Sequence, residues 1–403
     1  MKIGSLIKYH RTKLRMTQNE LATGICSISH LSKIENNSKE GNSETIRLLL
    51  EKLNIQLHEV KNNEQHIIWL LEELQKHINY IEKEKAKEIL AQLKANEQLI
   101  VFTDSIYLYE LYKLRYYVFI NDNQLAEKQL NWLTSIKKNF SQHEKYLHLY
   151  FSGLVLLLRG EYVEAENELT NIVREYSDLG VFQGDLYYHL AIVKGRLEES
   201  SQAIIYGRKA LEIYKNEFNF KRILNTLLSL AINYTRGKVF KDAIEIYGHL
   251  LRNVDLLGQQ HLLPEIYHNL GILYQRQGDY VNSITCFEKS VFGVSEKNEQ
   301  YLVCLYNLAY SQYQIGRYEE SKKNFVHLKR DSKKIKIFYR LANFYLHLLE
   351  DNKHIAMVYL EKDLIPYISR KGEYNETYVY FSNILSDYYL QEGKYEKALQ
   401  FNK

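Results

Sequence analysis

Proline is nearly absent: Pro264 and Pro366 are the two in 403 residues. A chain with so few enforced breaks suits long, uninterrupted helices. Cysteine is as scarce, with Cys26, Cys286 and Cys304 alone. An odd count, no C-x-x-C and no histidine at ligand spacing argue against a disulfide framework or a zinc site. Small buried hydrophobes in a reducing cytosol are the expectation. Long apolar runs are missing too. Leu154–Leu158 is far too short to span a bilayer, and the first residues are amphipathic and charged, unlike a secretory leader. The chain therefore reads as soluble and cytoplasmic, with no membrane partner. It also lacks a glycine-rich phosphate loop and a G-x-S-x-G. His143 and His148 stand five apart, the wrong spacing for one zinc-binding helical face. No enzyme, metal or cofactor is expected.

What the chain has instead is tyrosine, 35 of them, and a repeat. In Asn269–Ser290, NLGILYQRQGDYVNSITCFEKS, small Gly271 sits among large apolar residues, and the turn Gly278-Asp279 leads into Tyr280, Ser283 and Phe287. Two amphipathic helices that must approach closely need this alternation of small residue and ring. The pattern G-x-Y-x-x-small recurs as Gly160-Tyr162-Ala165, Gly316-Tyr318-Ser321 and Gly393-Tyr395-Ala398. Aligned on the small residue, the ladder is Ala86, Ala126, Ala165, Ala203, Ala243, Ser283, Ser321 and Ala398, with a degenerate rung near Ala356. Nine helix pairs are expected from residue 66 to the end. The unit resembles a tetratricopeptide repeat, whose usual period of about 34 residues is exceeded here by roughly one helical turn per repeat. HEAT or armadillo arrays, which lack this turn signature, are the alternative.

Charge is distributed unevenly. Residues 1–33 carry Lys2, Lys8, Arg11, Lys13, Arg15 and Lys33 against Glu20, a local +5, so the other 370 residues sum to −1 within a total of +4. A basic head on a neutral body points the head at a polyanion. Within it, Ile3, Leu6, Ile7 and Leu14 share a stripe, and Thr17-Gln18-Asn19-Glu20 forms a capping box. Ser27 is a candidate N-cap for a helix burying Leu31 and Ile34. Ser43 is expected to cap a fourth helix, burying Ile46, Leu49, Leu50 and Leu53. MTQNELATGICSISHLSKIENNS is similar to the Xre/Cro-type helix-turn-helix, although Cys26 stands where a turn glycine is common. Ser27, Ser29, His30 and Lys33 are placed on the exposed face near the start of the second helix of the motif, within reach of base edges. Gln18 and Asn36 are placed at helix ends suited to phosphate contact. The family resemblance implies an Arg11–Glu35 pair.

Residues 54–65 lose apolar density. The organisation is read as a head over 1–60, a linker over 61–65 and a repeat body over 66–403. First helices of such pairs line the concave face in tetratricopeptide arrays. Asn269 and Asn307 occupy the same place in consecutive pairs, and an Asn offers a donor and an acceptor to an extended peptide unit. A repeat-to-repeat hydrogen bond is the alternative role. Tyr188, His189, His268, Tyr306 and Tyr310 are candidates for the walls of such a groove. Arg115, a cation amid tyrosines, needs a partner, which is either a ligand carboxylate or a neighbouring glutamate. Arg196, Arg236 and Arg276 recur at 40-residue steps at helix ends, where the helix dipole accounts for them.

An Xre-type head followed by about nine tetratricopeptide repeats resembles the RRNPP group of peptide-sensing regulators of Gram-positive bacteria, and within it the NprR and PlcR branch. The resemblance implies an all-α, cytosolic transcription factor, an activator that binds operator DNA as a homodimer and a short signalling peptide in the repeat groove. It also implies that Asn269 and Asn307 clamp the peptide backbone. Two other readings stay open: a Rap-like protein acting on a response regulator, and a peptide-independent phage-type repressor. The last helix stops soon after Ala398, so a partner-covered or shortened end is expected.

Overall fold

A computed structural model of the chain describes residues 3–36, 38, 41–55, 57–175, 182–294, 297–371 and 375–402. Every regular element among them is helical. The chain divides into two compact units, Met1–Asn233 and Tyr234–Lys403.

The head opens the first unit with α1 (Ile3–Lys13), α2 (Gln18–Ala22), α3 (Ile28–Glu35) and α4 (Ser43–Lys52). Leu6, Ile7, Leu21, Ala22, Leu31, Ile34, Ile46, Leu49, Leu50 and Leu53 are buried as the periodicity requires. Leu14 is not. It lies beyond the end of α1 and is 54% exposed, because the chain turns through Arg15 at φ 55°. The capping box forms, with Thr17 accepting from the Glu20 amide while Glu20 accepts from the Thr17 amide at 2.6 Å. At α4 the cap is Asn42 instead of Ser43, which becomes the first helical residue. Asn42 Oδ1 accepts from the Thr45 amide at 2.7 Å. The loop before it falls partly outside the described residues, at 37, 39 and 40.

The repeat body then runs as α5 (Leu57–Asn79) and α6 (Lys83–Ala95), a short α7 (Glu97–Ile100), α8 (Ile106–Phe119) and α9 (Asn123–Ile136), α10 (Gln142–Arg159) and α11 (Tyr162–Glu175), α12 (Gln183–Arg196) and α13 (Ser200–Asn216), and α14 (Phe220–Arg236), within which the unit boundary falls. Residues 61–65, read above as the linker, lie inside α5. In the second unit follow α15 (Phe240–Asn253), α16 (Leu263–Arg276) and α17 (Tyr280–Gly293), α18 (Glu299–Gln314) and α19 (Tyr318–Asp331), α20 (Lys336–Leu349) with α21 (Lys353–Tyr359) and α22 (Ile365–Lys371), and α23 (Asn375–Gln391) with α24 (Tyr395–Phe401). Among the described residues the helices after the head follow one another as nine successive pairs, the architecture of a tetratricopeptide-repeat body.

All nine ladder residues, Ala356 included, are 0–2% exposed. In two pairs the first helix meets its partner through a glycine: a methyl on Gly271 would stand 2.7 Å from the Phe287 ring, and one on Gly153 2.8 Å from Leu169. Five residues before each rung the backbone is left-handed, at Ile81, Asn121, Gly160, Glu198, Lys238, Gly278, Gly316, Asp351 and Gly393. The turn thus survives where its glycine signature does not. Close packing of the pair over-determines that one conformation, and a side chain is carried there at a cost. Pro264 sits in the first turn of α16, where no amide hydrogen is missed. Pro366 follows a widened π turn, Leu360–Leu364, closed by the Ile365 amide on the Leu360 carbonyl. The extra residue relieves the clash of a proline ring with the preceding turn. Among the described residues no helix is long and apolar enough to cross a membrane.

Candidate functional site: a helix-turn-helix head and two polar clusters on the repeats

In the head, α3 presents Ser29 and Lys33 to solvent together with Ile28, which is 48% exposed. Ser27 caps α3, its Oγ accepting from the His30 amide at 3.2 Å. His30 is half-buried, and its Nε2 is shut away with no hydrogen-bond partner among the described residues, so the ring does not lie on the exposed face where the helical wheel places it. Gln18 is also turned inward. Its Nε2 donates to Glu35 Oε2 at 2.8 Å, completing a buried triad in which Arg11 Nε and Nη2 meet the Glu35 carboxylate at 2.6 and 3.0 Å. The Glu35 side chain is fully buried, and these three bonds are what make its charge tolerable. Asn36 stands at the C-terminal end of α3, the negative end of the helix dipole, and accepts from Lys8 at 3.4 Å. The exposed apolar Ile28 escaped the sequence reading, because an isoleucine among buried-looking neighbours reads as core.

In the first unit the repeats gather a buried ionic cluster. Asp185, on α12, is 3% exposed and lies 3.3 Å from Arg115 on α8 and 3.4 Å from Arg222 on α14, with the Tyr214 hydroxyl donating to its Oδ1. Burial would raise the Asp185 pKa, but Arg222 and Arg115, with His189 and the Tyr214 hydroxyl, hold it below the usual carboxylate value. Arg115 itself is 4% exposed, so the partner left open above is Asp185, from 70 residues along the chain. His189 Nδ1 lies 2.6 Å from the Asp185 carbonyl and 2.9 Å from the Tyr150 hydroxyl, and burial pushes its pKa down to about 3. Tyr188 lies under the Arg222 guanidinium, 5.9 Å from ring centre to carbon. Periodicity marks Asp185 as a helix-start acid and gives no sign of its partners, which come from three other helices.

In the second unit, Asn269 and Asn307 are half-buried on α16 and α18. Each Nδ2 donates to the carbonyl one turn back, Glu265 at 2.9 Å and Val303 at 3.0 Å. That leaves the second N–H and the Oδ1 of each amide without a partner among the described residues. Neither side chain bridges two pairs. That bridge is made by Gln275, whose Nε2 donates to the Asn307 carbonyl at 3.1 Å and to Ser311 Oγ at 2.7 Å, with Ser283 Oγ 3.0 Å from Ser311. Tyr306 and Tyr310 stack at 6.2 Å, both against Tyr345, and the Tyr310 and Tyr380 hydroxyls are 3.3 Å apart. His268 is spent elsewhere. Its Nδ1 lies 3.3 Å from Cys304 Sγ and its ring against Phe287, and burial lowers its pKa to about 4.

Comparison with known proteins adds to this geometry. A helix-turn-helix family model matches residues 7–60, and a tetratricopeptide-repeat model matches residues 262–327. The transcriptional activator NprA of Geobacillus stearothermophilus is 27% identical over 399 residues, 95% of this chain and 97% of the relative. The solved apo form of the quorum sensor NprR from B. thuringiensis superposes with a TM-score of 0.74 at 19% identity, over 84% of this chain and 97% of that one. NprR in complex with its cognate peptide NprX gives 0.66 at 20% identity, over 84% and 96%.

Proposed function

We infer that this chain is a peptide-responsive transcription regulator of the RRNPP type, in which the head reads operator DNA and the repeats sense a short peptide. The observation that carries the sensing half is the pair Asn269 and Asn307. They repeat on first helices of consecutive pairs, and each keeps one N–H and one carbonyl oxygen unspent. A peptide unit presents one acceptor and one donor, so two such amides one repeat apart match an extended backbone whatever its side chains. On the same helix as Asn307, Tyr306 and Tyr310 stack, and the Tyr310 hydroxyl faces that of Tyr380, a surface suited to an apolar or aromatic side chain.

For the head, exposed Ser29 and Lys33 would supply polar and cationic contacts, and the exposure of Ile28 suits it to a thymine methyl. Ser27 acts as a cap, Gln18 and Arg11 hold Glu35, and Lys8 and Asn36 stand at the edge for phosphate. Two heads are needed for an operator with half-sites about 34 Å apart, so the acting species is a homodimer. A peptide that prefers one arrangement of the repeats then biases head spacing and operator affinity together.

The test is to purify the chain from its native host and identify co-purifying oligopeptides by mass spectrometry, then titrate the synthetic peptide by calorimetry. Asn307→Ala should weaken binding by about tenfold or more, the loss of one or two buried hydrogen bonds. Undiminished affinity in Asn269→Ala/Asn307→Ala would remove the clamp from the reading.

A further inference from the structure

The buried cluster in the first unit holds two guanidiniums against one carboxylate, which leaves a surplus positive charge in the interior. Its compensation is found at the end of α5. Arg222 Nε donates to the Asn79 carbonyl at 3.1 Å, and Nη2 reaches the Ile78 carbonyl at 3.5 Å. These are last-turn carbonyls at the negative end of the helix dipole, and the Ile78 carbonyl also accepts from the Ile81 amide at 3.2 Å. Asn219 donates to the same Asn79 carbonyl at 3.1 Å, and Lys221 reaches the Ile81 carbonyl at 3.4 Å. In a stack of repeats each pair touches its neighbours. Here the turn of the first pair is bound to the α13–α14 turn some 140 residues away.

Arg222 is the junction. Its Nε and Nη2 are shared between the Asp185 carboxylate, on the first helix α12 that also carries Tyr188 beneath the guanidinium, and the two carbonyls at the end of α5. Helix α5 in turn packs against α4 of the head. A second contact fixes the head from the other side: the Tyr9 hydroxyl donates to Gln98 at 3.2 Å, and the Tyr9 ring lies 5.2 Å from Phe102. We propose that Arg222 is the positioning residue that ties the α12 face of the repeats to α5, and through α5 to the head. A change at Asp185 or Tyr188 thereby alters how firmly the head is held. The proposal rests on the reading of the head as the DNA-binding part.

Hydrogen exchange by mass spectrometry on the full chain tests it without any ligand, using Arg222→Lys and Arg222→Met. Lysine keeps the charge but cannot reach Asp185 and two carbonyls at once. The amides that close the end of α5, those of Tyr80, Ile81 and Glu82, should exchange about tenfold faster in both variants. Peptides from α4 and α1 should follow, while those of α16–α19 stay unchanged. Unaltered exchange at the end of α5, a head that keeps its protection while α5 loosens, or uniform acceleration throughout the chain would each overturn the proposal. Selection of duplexes from a random-sequence pool on the wild-type chain tests the DNA-binding reading separately, since its failure leaves the exchange result intact.

Discussion

Lys238 adopts φ 59° in the turn before α15, exposed to solvent and in a position that Gly160, Gly278, Gly316 and Gly393 fill elsewhere. A left-handed side chain costs about 1–2 kcal/mol, part of which glycine returns as unfolded-state entropy. Lys238→Gly should therefore raise stability by about 0.5–1 kcal/mol, read as a higher melting temperature of the full chain. Gly271 makes the opposite case. A side chain there meets the Phe287 ring at 2.7–2.9 Å, with Phe287 itself fully buried, so Gly271→Val should cost about 1–3 kcal/mol in denaturant unfolding. His268 gives a pH dependence. Its folded pKa is lowered from 6.5 to about 4, so the unfolded chain takes up the proton first. Its contribution is complete above pH 6.5 and is lost as pH falls from there toward 4. His268→Leu should flatten that part of the stability–pH curve. Asp185, depressed as an acid, loses its contribution lower still, below its ordinary value of 3.8.

Among elements, the head depends on Glu35. Its carboxylate is fully buried and held by Arg11 from α1 and Gln18 from α2, so one charge pins three helices. Removing Arg11 leaves that charge with a single amide, and breaking a buried pair costs about 3–5 kcal/mol. A head of four short helices has no comparable reserve. Arg11→Met should abolish binding to a selected duplex while most helical ellipticity, which comes from the repeats, remains. The turns between paired helices behave differently. Each is fixed by a fully packed small residue, which is why Asp351 takes the same left-handed conformation as the glycines although its Gly-x-Tyr signature is gone.

For the whole molecule, the prediction is one of coupling. If peptide binding on the repeats alters operator binding by a given factor, the selected duplex must alter peptide affinity by the same factor. Titrating the identified peptide with and without duplex, and the duplex with and without peptide, measures both legs. A factor of one in both titrations would remove the coupling.

The residues alone determined the class of the fold, the number of pairs, the small-residue ladder and the helix-turn-helix, because each follows from local periodicity, capping and a turn signature repeated in sequence. The head's buried positions from Leu21 to Leu53 were legible for the same reason, as was the family resemblance. Tertiary structure decided what the polar side chains do. Arg115 meets Asp185 from 70 residues away, Gln18 and His30 turn inward, His268 is taken up by Cys304, and Arg222 closes on the end of α5. A hydrogen bond between groups far apart in the chain depends on where two helices come to rest, and no spacing along one of them encodes it.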